Sequence, residues 1–400
     1  MNQPMSSLRI AASFMICVAV VSFAASMAAA QAIPTGNWRK LPAPSCSPSG
    51  RGFQTFLNAV AWVPASQVGF AVGECRHDPQ YYVNSPIIYR ITPQGGGVPM
   101  PAYNNPSYAA TVLNAVSADS ASDIWAAGYS ENPCCEWVIN VQRSTGGAFR
   151  PVSCPNPGTS QNIAYGILAF APNNVYIAGT YTTPTSANTY FAHWDGFSCT
   201  QIASPNPNVL NYFYAIAGSS PQDVWLVGMY GDTTHTIPLC MHYDGANFVQ
   251  YDCPLGTGSV YNRLVSVSAI AGRYVWAGGY DDNLTMWWGL SDYFFAGSWR
   301  LAYGPLSQCF TDVYRVWGVA AVNPNFAWQV SECQGATIIS FWNGRWNAYP
   351  GPIIPGVDYN VLFGVSAGDT HSALAAGSYN LQTPQGSGPA LPYIALYTDQ

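Results

Sequence analysis

Short apolar strings that end in a small residue recur along the whole chain. "DIWAAG" ends at Gly128, and the similar string "DVWLVG" ends at Gly228. Successive copies end 46 to 55 residues apart. A nearly regular spacing of this size indicates a repeat architecture. The copies are VGFAVG ending at Gly73, DIWAAG at Gly128, NVYIAG at Gly179, DVWLVG at Gly228, YVWAGG at Gly279, NFAWQVS at Ser331 and HSALAAG at Gly377.

Each copy has a second apolar string a fixed distance upstream. In most repeats this partner begins 15 residues before the end point, as Leu113 does before Gly128. Turn-forming residues separate the two strings, so each pair predicts two antiparallel strands. A third string closes on Asp-Gly or Asn-Gly, a hairpin signal, and a fourth string ends in proline. The upstream strings begin at Leu57, Leu113, Ala164, Phe213, Leu264, Val316 and Leu362.

Four antiparallel strands in each of seven repeats predict an all-β fold, a seven-bladed β-propeller spanning residues 33–400 as one domain. The last repeat stops after a third strand, "YIALYTDQ". The segment "TGNWRKLPAP", which starts at Thr35, matches a fourth strand. We therefore expect the N-terminal strand to complete the last blade, which removes both open sheet edges.

The "DVWLVG" and "MHYDG" strings resemble exported bacterial seven-bladed propeller repeat proteins with a DVWAVG…HWDG…W pattern. More distantly, the chain is similar to tectonin-type and bacterial propeller lectins. This second resemblance implies carbohydrate binding, although the chain lacks the short connecting loops of those lectins. The Asp box of sialidases is absent, and so is the Gly-Gly doublet that kelch repeats carry in every blade.

The first 32 residues predict export. One Arg precedes a long uncharged run that ends in Ala-x-Ala, which is typical of a signal peptide; an uncleaved anchor is the alternative. We expect a secreted protein, extracellular or periplasmic, with no membrane span after cleavage. The formal net charge is −6, which disfavours nucleic acid as a partner.

Eleven cysteines are present, and ten follow the predicted signal peptide. An even number in an exported chain predicts disulfides. Matching repeat positions predict the pairs Cys46–Cys75 and Cys309–Cys333. The other expectations are a bond from Cys154 to Cys134 or Cys135, with Cys199 and Cys240 free and Cys253 unassigned.

Catalytic and metal motifs are sparse. His193 and His242 occupy the same repeat position, which favours a structural role, and His77 with Asp78 lacks a third ligand. Neither a nucleophile elbow nor a phosphate loop occurs. We predict no metal and no cofactor.

The long and varied loops lie on one face of the predicted propeller, between the second and third strands and between blades. We call it the long-loop face. Tyr81, Tyr82 and Trp137 lie in or beside these loops, away from the repeated positions, and favour a sugar or a protein surface. The first hypothesis is therefore a non-catalytic module that binds a glycan or a protein.

A ring of mostly polar residues begins the first strand of each repeat. Its amides either satisfy backbone groups or form the floor of a ligand site. Asn262, Arg263, Arg315 and Asn360 are the candidates here, and the arginines either bind an anion or pair with nearby carboxylates. The alternative functions are a lyase or hydrolase at this channel mouth and a structural envelope protein. The ring is Thr55, Thr111, Asn162, Asn211, Asn262, Tyr314 and Asn360.

Overall fold

The computed structural model describes residues 33–46, 53–78, 83–256, 260–271, 274–282, 287–302, 314–384 and 386–399. Within these ranges the chain is all β-strand, turn and loop, apart from one 3₁₀ turn at Pro64–Ser66. The all-β prediction is confirmed. No helix within the same ranges has the length and apolarity to cross a membrane.

The strands follow one another in short antiparallel groups. The first half contains β1 Asn37–Leu41, β2 Gln54–Val63, β3 Val68–Asp78, β4 Val83–Thr92, β5 Gly96–Pro99, β6 Ala110–Ser120, β7 Asp123–Glu131, β8 Trp137–Ser144, β9 Arg150–Val152, β10 Asn162–Ala171, β11 Asn174–Thr182, β12 Ala187–Trp194 and β13 Cys199–Gln201. The second half contains β14 Leu210–Ser220, β15 Asp223–Gly231, β16 Thr236–Tyr243, β17 Phe248–Tyr251, β18 Tyr261–Ile270, β19 Tyr274–Asp282, β20 Trp287–Phe295, β21 Ser298–Leu301, β22 Tyr314–Asn323, β23 Phe326–Cys333, β24 Ala336–Trp342, β25 Trp346–Tyr349, β26 Val357–Ala367, β27 Ser372–Thr383, β28 Gly386–Ser387 and β29 Leu391–Thr398.

Consecutive strands pair as antiparallel neighbours within each group, as in the order β2-β3-β4-β5. We call β2, β6, β10, β14, β18, β22 and β26 the first strands. Each first strand packs against the next one in chain order, and β26 packs against β2. The first strands therefore surround a common axis.

The N-terminal strand belongs to the same sheet as the C-terminal strands. β1 pairs with β29 from Asn37↔Thr398 to Leu41↔Ile394, in the order β1-β29-β27-β26. Trp38 packs edge-on against Trp328, with ring centroids 5.3 Å apart. Backbone hydrogen bonds therefore join the two ends of the chain, and Trp38 also contacts Tyr397 of β29, with ring centroids 5.7 Å apart.

The repeated aromatic positions form the cores between groups. Trp125, Trp225 and Trp328 are fully buried. The Trp225 indole donates a hydrogen bond to Asp223 over 2.9 Å, and His242 lies 2.9 Å from the same carboxylate. These side chains are structural, as the repetition of their positions indicates.

A β-bulge explains the recurring glycine. In every first strand one residue is left unpaired, directly after the residue that faces the repeat end point. In β14 Phe213 faces Gly228, and the register then passes to Ala215. A Cβ added at Gly228 would lie 1.8 Å from the carbonyl oxygen of Tyr212. The bulged backbone therefore occupies the space that a side chain would need. Ser331 takes this position in β23.

The cysteine pairing corrects part of the prediction. Cys46 is bonded to Cys75, as the repeat positions predict. Cys154 is bonded to Cys199, and Cys240 to Cys253, so the expectation that Cys199 and Cys240 are free is wrong. Cys199 lies in β13, beside the end of the preceding group, and repeat phase does not reveal such neighbours.

Cys309 lies outside the described residues, and Cys333 is disulfide-bonded. Cys134 and Cys135 are free and exposed, so the predicted bond from Cys154 to either of them is wrong.

Replacing the glycine opposite a bulge tests the close backbone approach. We expect Gly228→Val to lower the free energy of unfolding by roughly 3 kcal/mol, because strand pairing must shift to admit the side chain. The matched control is Gly147→Val, since nothing lies within 4 Å of a Cβ there; it should change stability by less than about 0.5 kcal/mol. Urea unfolding measures both, and equal effects would contradict the explanation.

Truncation tests the role of the terminal strands. Removing residues 36–44 deletes β1 and leaves the edge of β29 unpaired, so we expect a large fall in melting temperature or loss of soluble protein. Removing residues 33–35 alone leaves β1 intact and serves as the control. If both truncated chains melt like the parent, the pairing of the two chain ends contributes nothing to stability.

A buried acid provides a pH test. Asp292 in β20 is fully buried, and neither carboxylate oxygen has a hydrogen-bond partner among the described residues. Burial raises the pKa of Asp292 well above its ordinary value. Folding then takes up a proton, so stability falls as pH rises from the unfolded-state pKa of about 3.9 to the raised folded value. We expect Asp292→Asn to be more stable than the parent at about pH 7, by a margin that shrinks towards about pH 4. A constant margin in urea unfolding would contradict this.

Candidate binding site at the channel mouth

The first strands line an axial channel. One cavity of ≈ 260 Å³ is bounded by residues from all of these strands, including Val60, Ile216 and Val365. A second cavity of ≈ 180 Å³ is bounded by the bulge residues. The bulges lie nearer the starts of the first strands, which is the side of the second-to-third-strand loops. We call this end the channel mouth. The bulge residues are Asn58, Asn114, Tyr165, Tyr214, Val265, Trp317 and Phe363.

Two arginines share one aromatic wall at the mouth. Arg263 and Arg315 hold the same position in β18 and β22, next to the buried start of each strand. The Arg315 guanidinium carbon lies 3.2 Å from the Trp287 ring centroid and 5.6 Å from that of Tyr280. The Arg263 guanidinium carbon lies 5.3 Å from the same Tyr280 centroid. Tyr280 and Trp287 are stacked at 5.4 Å, so cation–π contacts hold both guanidinium groups against one surface.

The arginine charges are only partly balanced by the described residues. Arg315 lies 3.6 Å from the carboxylate of Glu332, which also accepts a hydrogen bond from the Trp317 indole. Arg263 forms no ion pair within the described part of the chain. The Nε atoms of both arginines are buried without a hydrogen-bond partner there. Guanidinium groups whose charge is only partly balanced are suited to a carboxylate or sulfate ligand.

Three tyrosines lie beside Arg263. Tyr214 contacts both Tyr165 and Tyr212, with ring centroids 5.1 Å and 5.5 Å away. Burial raises the pKa of Tyr165, Tyr212 and Tyr214, and the positive charge of Arg263 opposes that rise at each of them. The mouth therefore combines cationic donors with phenol groups and flat rings.

The amides at the strand starts are bonded to the backbone. Asn262 donates to the carbonyl oxygen of Thr236 over 3.4 Å, and Asn360 accepts from the amide of Thr337 over 3.1 Å. Asn211 makes the same type of bond, to the preceding group's third strand. These amides link neighbouring groups, which is the structural interpretation of the polar ring. Asn262 thereby positions Arg263, which follows it in sequence, whereas Arg315 follows Tyr314.

The aromatic candidates on the long-loop face are less informative. Trp137 begins β8 and stacks on Tyr129 with ring centroids 4.6 Å apart. Its ring is half-buried, so one face is already covered. Tyr81 and Tyr82 lie outside the described residues.

A second charged cluster was missed by the sequence analysis. Arg76 donates two hydrogen bonds to Glu74, at 2.6 and 3.0 Å, and Asn84 donates to the other carboxylate oxygen over 2.6 Å. Glu74 directly follows the repeat end point, as Glu332 does. The matching contexts "GEC" and "SEC" place a glutamate directly after the repeat end point in both groups, and this is the sequence feature that indicates the cluster.

Comparisons with known proteins identify the fold. No known sequence family and no curated protein matches the chain. Among solved structures it is similar to YCF48 bound to D1 peptide, with a TM-score of 0.55, 11% identity and coverage of 92% of this chain and 99% of that one. It is also similar to a polysaccharide lyase, ulvan lyase bound to -[GlcA(1-4)Rha3S]-, with a TM-score of 0.54, 9% identity and coverage of 86% and 96%.

The chain has a β-propeller fold. Both similar structures are β-propellers, and at these identities the likeness extends to the fold alone. One of these propellers is bound to a peptide and the other to a saccharide.

Proposed function

We propose that the chain is an exported seven-bladed β-propeller, with residues 1–32 as a signal peptide and residues 33–400 as one domain. The cyclic contacts of the first strands and the pairing of β1 with β29 support the blade count and the closure. The disulfides are compatible with an extracellular or periplasmic location.

We propose further that the propeller is a non-catalytic module that binds an acidic glycan at the channel mouth. The observation that carries this proposal is the placement of both Arg263 and Arg315 against the ring of Tyr280. Guanidinium groups pair with uronate or sulfate oxygens through two parallel hydrogen bonds. Cation–π contacts with Tyr280 and Trp287 hold these guanidinium groups at the channel mouth. A similar propeller bound to a GlcA-containing saccharide supports the same chemistry.

The arginines provide the test. We expect Arg263→Gln and Arg315→Gln each to weaken binding of a glucuronate-containing oligosaccharide by about tenfold or more, since each removes a charge-assisted hydrogen bond. Arg345→Gln is the matched control, because Arg345 is exposed and hydrogen-bonds only locally to Asn347. Titration calorimetry measures the affinities, and melting temperatures check folding.

Two outcomes would contradict the acidic-glycan proposal. The first is equal affinity for the oligosaccharide and its carboxyl-reduced counterpart. The second is normal binding by both arginine variants together with loss of binding in Trp137→Ala, which would favour the long-loop face and a neutral glycan or protein ligand.

A lyase is the second candidate, favoured by the position of Arg263 beside Tyr165, Tyr212 and Tyr214. This requires the charge of Arg263 to outweigh the effect of burial, so that one tyrosine is deprotonated and removes the proton next to a uronate carboxylate held by Arg263. The electron pair left on that carbon would form a double bond to the neighbouring carbon, the bond from that carbon to the glycosidic oxygen would break, and the oxygen would take the proton from the tyrosine. Ultraviolet absorbance of this unsaturated product, lost in Tyr214→Phe, would establish the enzyme over the binding module.

A further inference from the structure

Two adjacent free cysteines project from the long-loop face. Cys134 and Cys135 are both exposed, in the loop between β7 and β8. Every other cysteine that the structure describes is in a disulfide. The pair is therefore an exception in a chain that otherwise oxidises its thiols.

The loop holds the pair in a defined and unusual backbone conformation. The side-chain oxygen of Asn132 accepts hydrogen bonds from the backbone amides of Cys134 and Glu136, at 3.0 and 2.9 Å. The backbone carbonyl oxygen of Asn132 accepts a third from the amide of Cys135 at 3.1 Å. Cys135 has φ 71°, in the left-handed region that residues other than glycine seldom adopt. A backbone outlier of this kind at an exposed thiol points to a chemical role for the residue.

We propose that Cys134 and Cys135 form a redox-active site that closes to a disulfide between neighbouring residues. The oxidant is a small-molecule or protein disulfide of the compartment to which the chain is exported. The thiolate of one cysteine attacks that disulfide, forming a mixed disulfide and releasing one thiol. The second cysteine then attacks the mixed disulfide and releases the other thiol. The two cysteines lose two electrons and two protons, and the oxidant gains them.

Closure changes the surface beside a stacked aromatic pair. The new ring includes the peptide bond between the two cysteines, so it fixes the loop Asn132–Glu136 that leads directly into Trp137. Trp137 is stacked on Tyr129 at the start of β8. Oxidation therefore replaces two reactive thiols with a rigid apolar sulfur surface on the long-loop face.

Trypsin gives a direct readout of the pair. Cleavage after Arg90 and Arg143 releases residues 91–143, a peptide whose only cysteines are Cys134 and Cys135. The mature protein is equilibrated with oxidised and reduced glutathione, alkylated in denaturant and digested without reductant. We expect the peptide to lack alkyl groups and to weigh two hydrogens less than its reduced form. In Cys135→Ser we expect Cys134 to be alkylated or bound to glutathione.

The outcomes separate this inference from the proposed export, on which it rests. Two alkyl groups on the peptide while Cys46–Cys75 stays oxidised would overturn the inference and leave export standing. A peptide joined to a second chain, or carrying glutathione on both cysteines, would also overturn it. Reduced Cys46 and Cys75 in freshly isolated protein would instead count against export, and the equilibrated sample would still decide the state of the pair.

Discussion

The close approach of the first-strand backbone to the strand beside it is the constraint on which the rest of this structure depends. At Gly128 and Gly228 a Cβ would fall within 2 Å of a carbonyl oxygen, 1.9 and 1.8 Å away respectively. Each first strand has a bulge here, which turns one extra side chain out of the regular alternation, and in six of the seven the facing residue is glycine. Those side chains line the axial channel. A backbone requirement that repeats around the axis thus fixes which sequence positions face the channel.

The polar residues at the channel mouth fall into two sets, one that bonds to the neighbouring sheet and one whose charged groups face the mouth. The amides of Asn211, Asn262 and Asn360 bond to the preceding group, so they are used in holding the sheets together. The residue that follows each strand start is less constrained. In β18 and β22 that position is arginine, and both guanidinium groups rest against Tyr280. The mouth is therefore asymmetric in charge although its framework repeats.

The sequence was sufficient to predict what the repeat encodes. Strand pairs, buried tryptophans such as Trp225, and the match between the N-terminal strand and a fourth strand all follow from positions that recur in phase. Contacts that cross between groups were not accessible in the same way. Cys154 and Cys199 occupy different repeat positions, and only the packing of neighbouring sheets brings them together. The wall formed by Trp287 and Tyr280 depends on where a non-repeating loop returns to its sheet, which periodicity does not specify.

The central claim is that the bulged first strands build an anion-binding mouth at the axis. A crystal structure of the mature chain with a glucuronate-containing oligosaccharide tests it most directly. We predict saccharide density at the channel mouth, with a carboxylate bound by Arg263 and Arg315. Saccharide density confined to the loops around Trp137, with the two arginines turned away from it, would contradict the account.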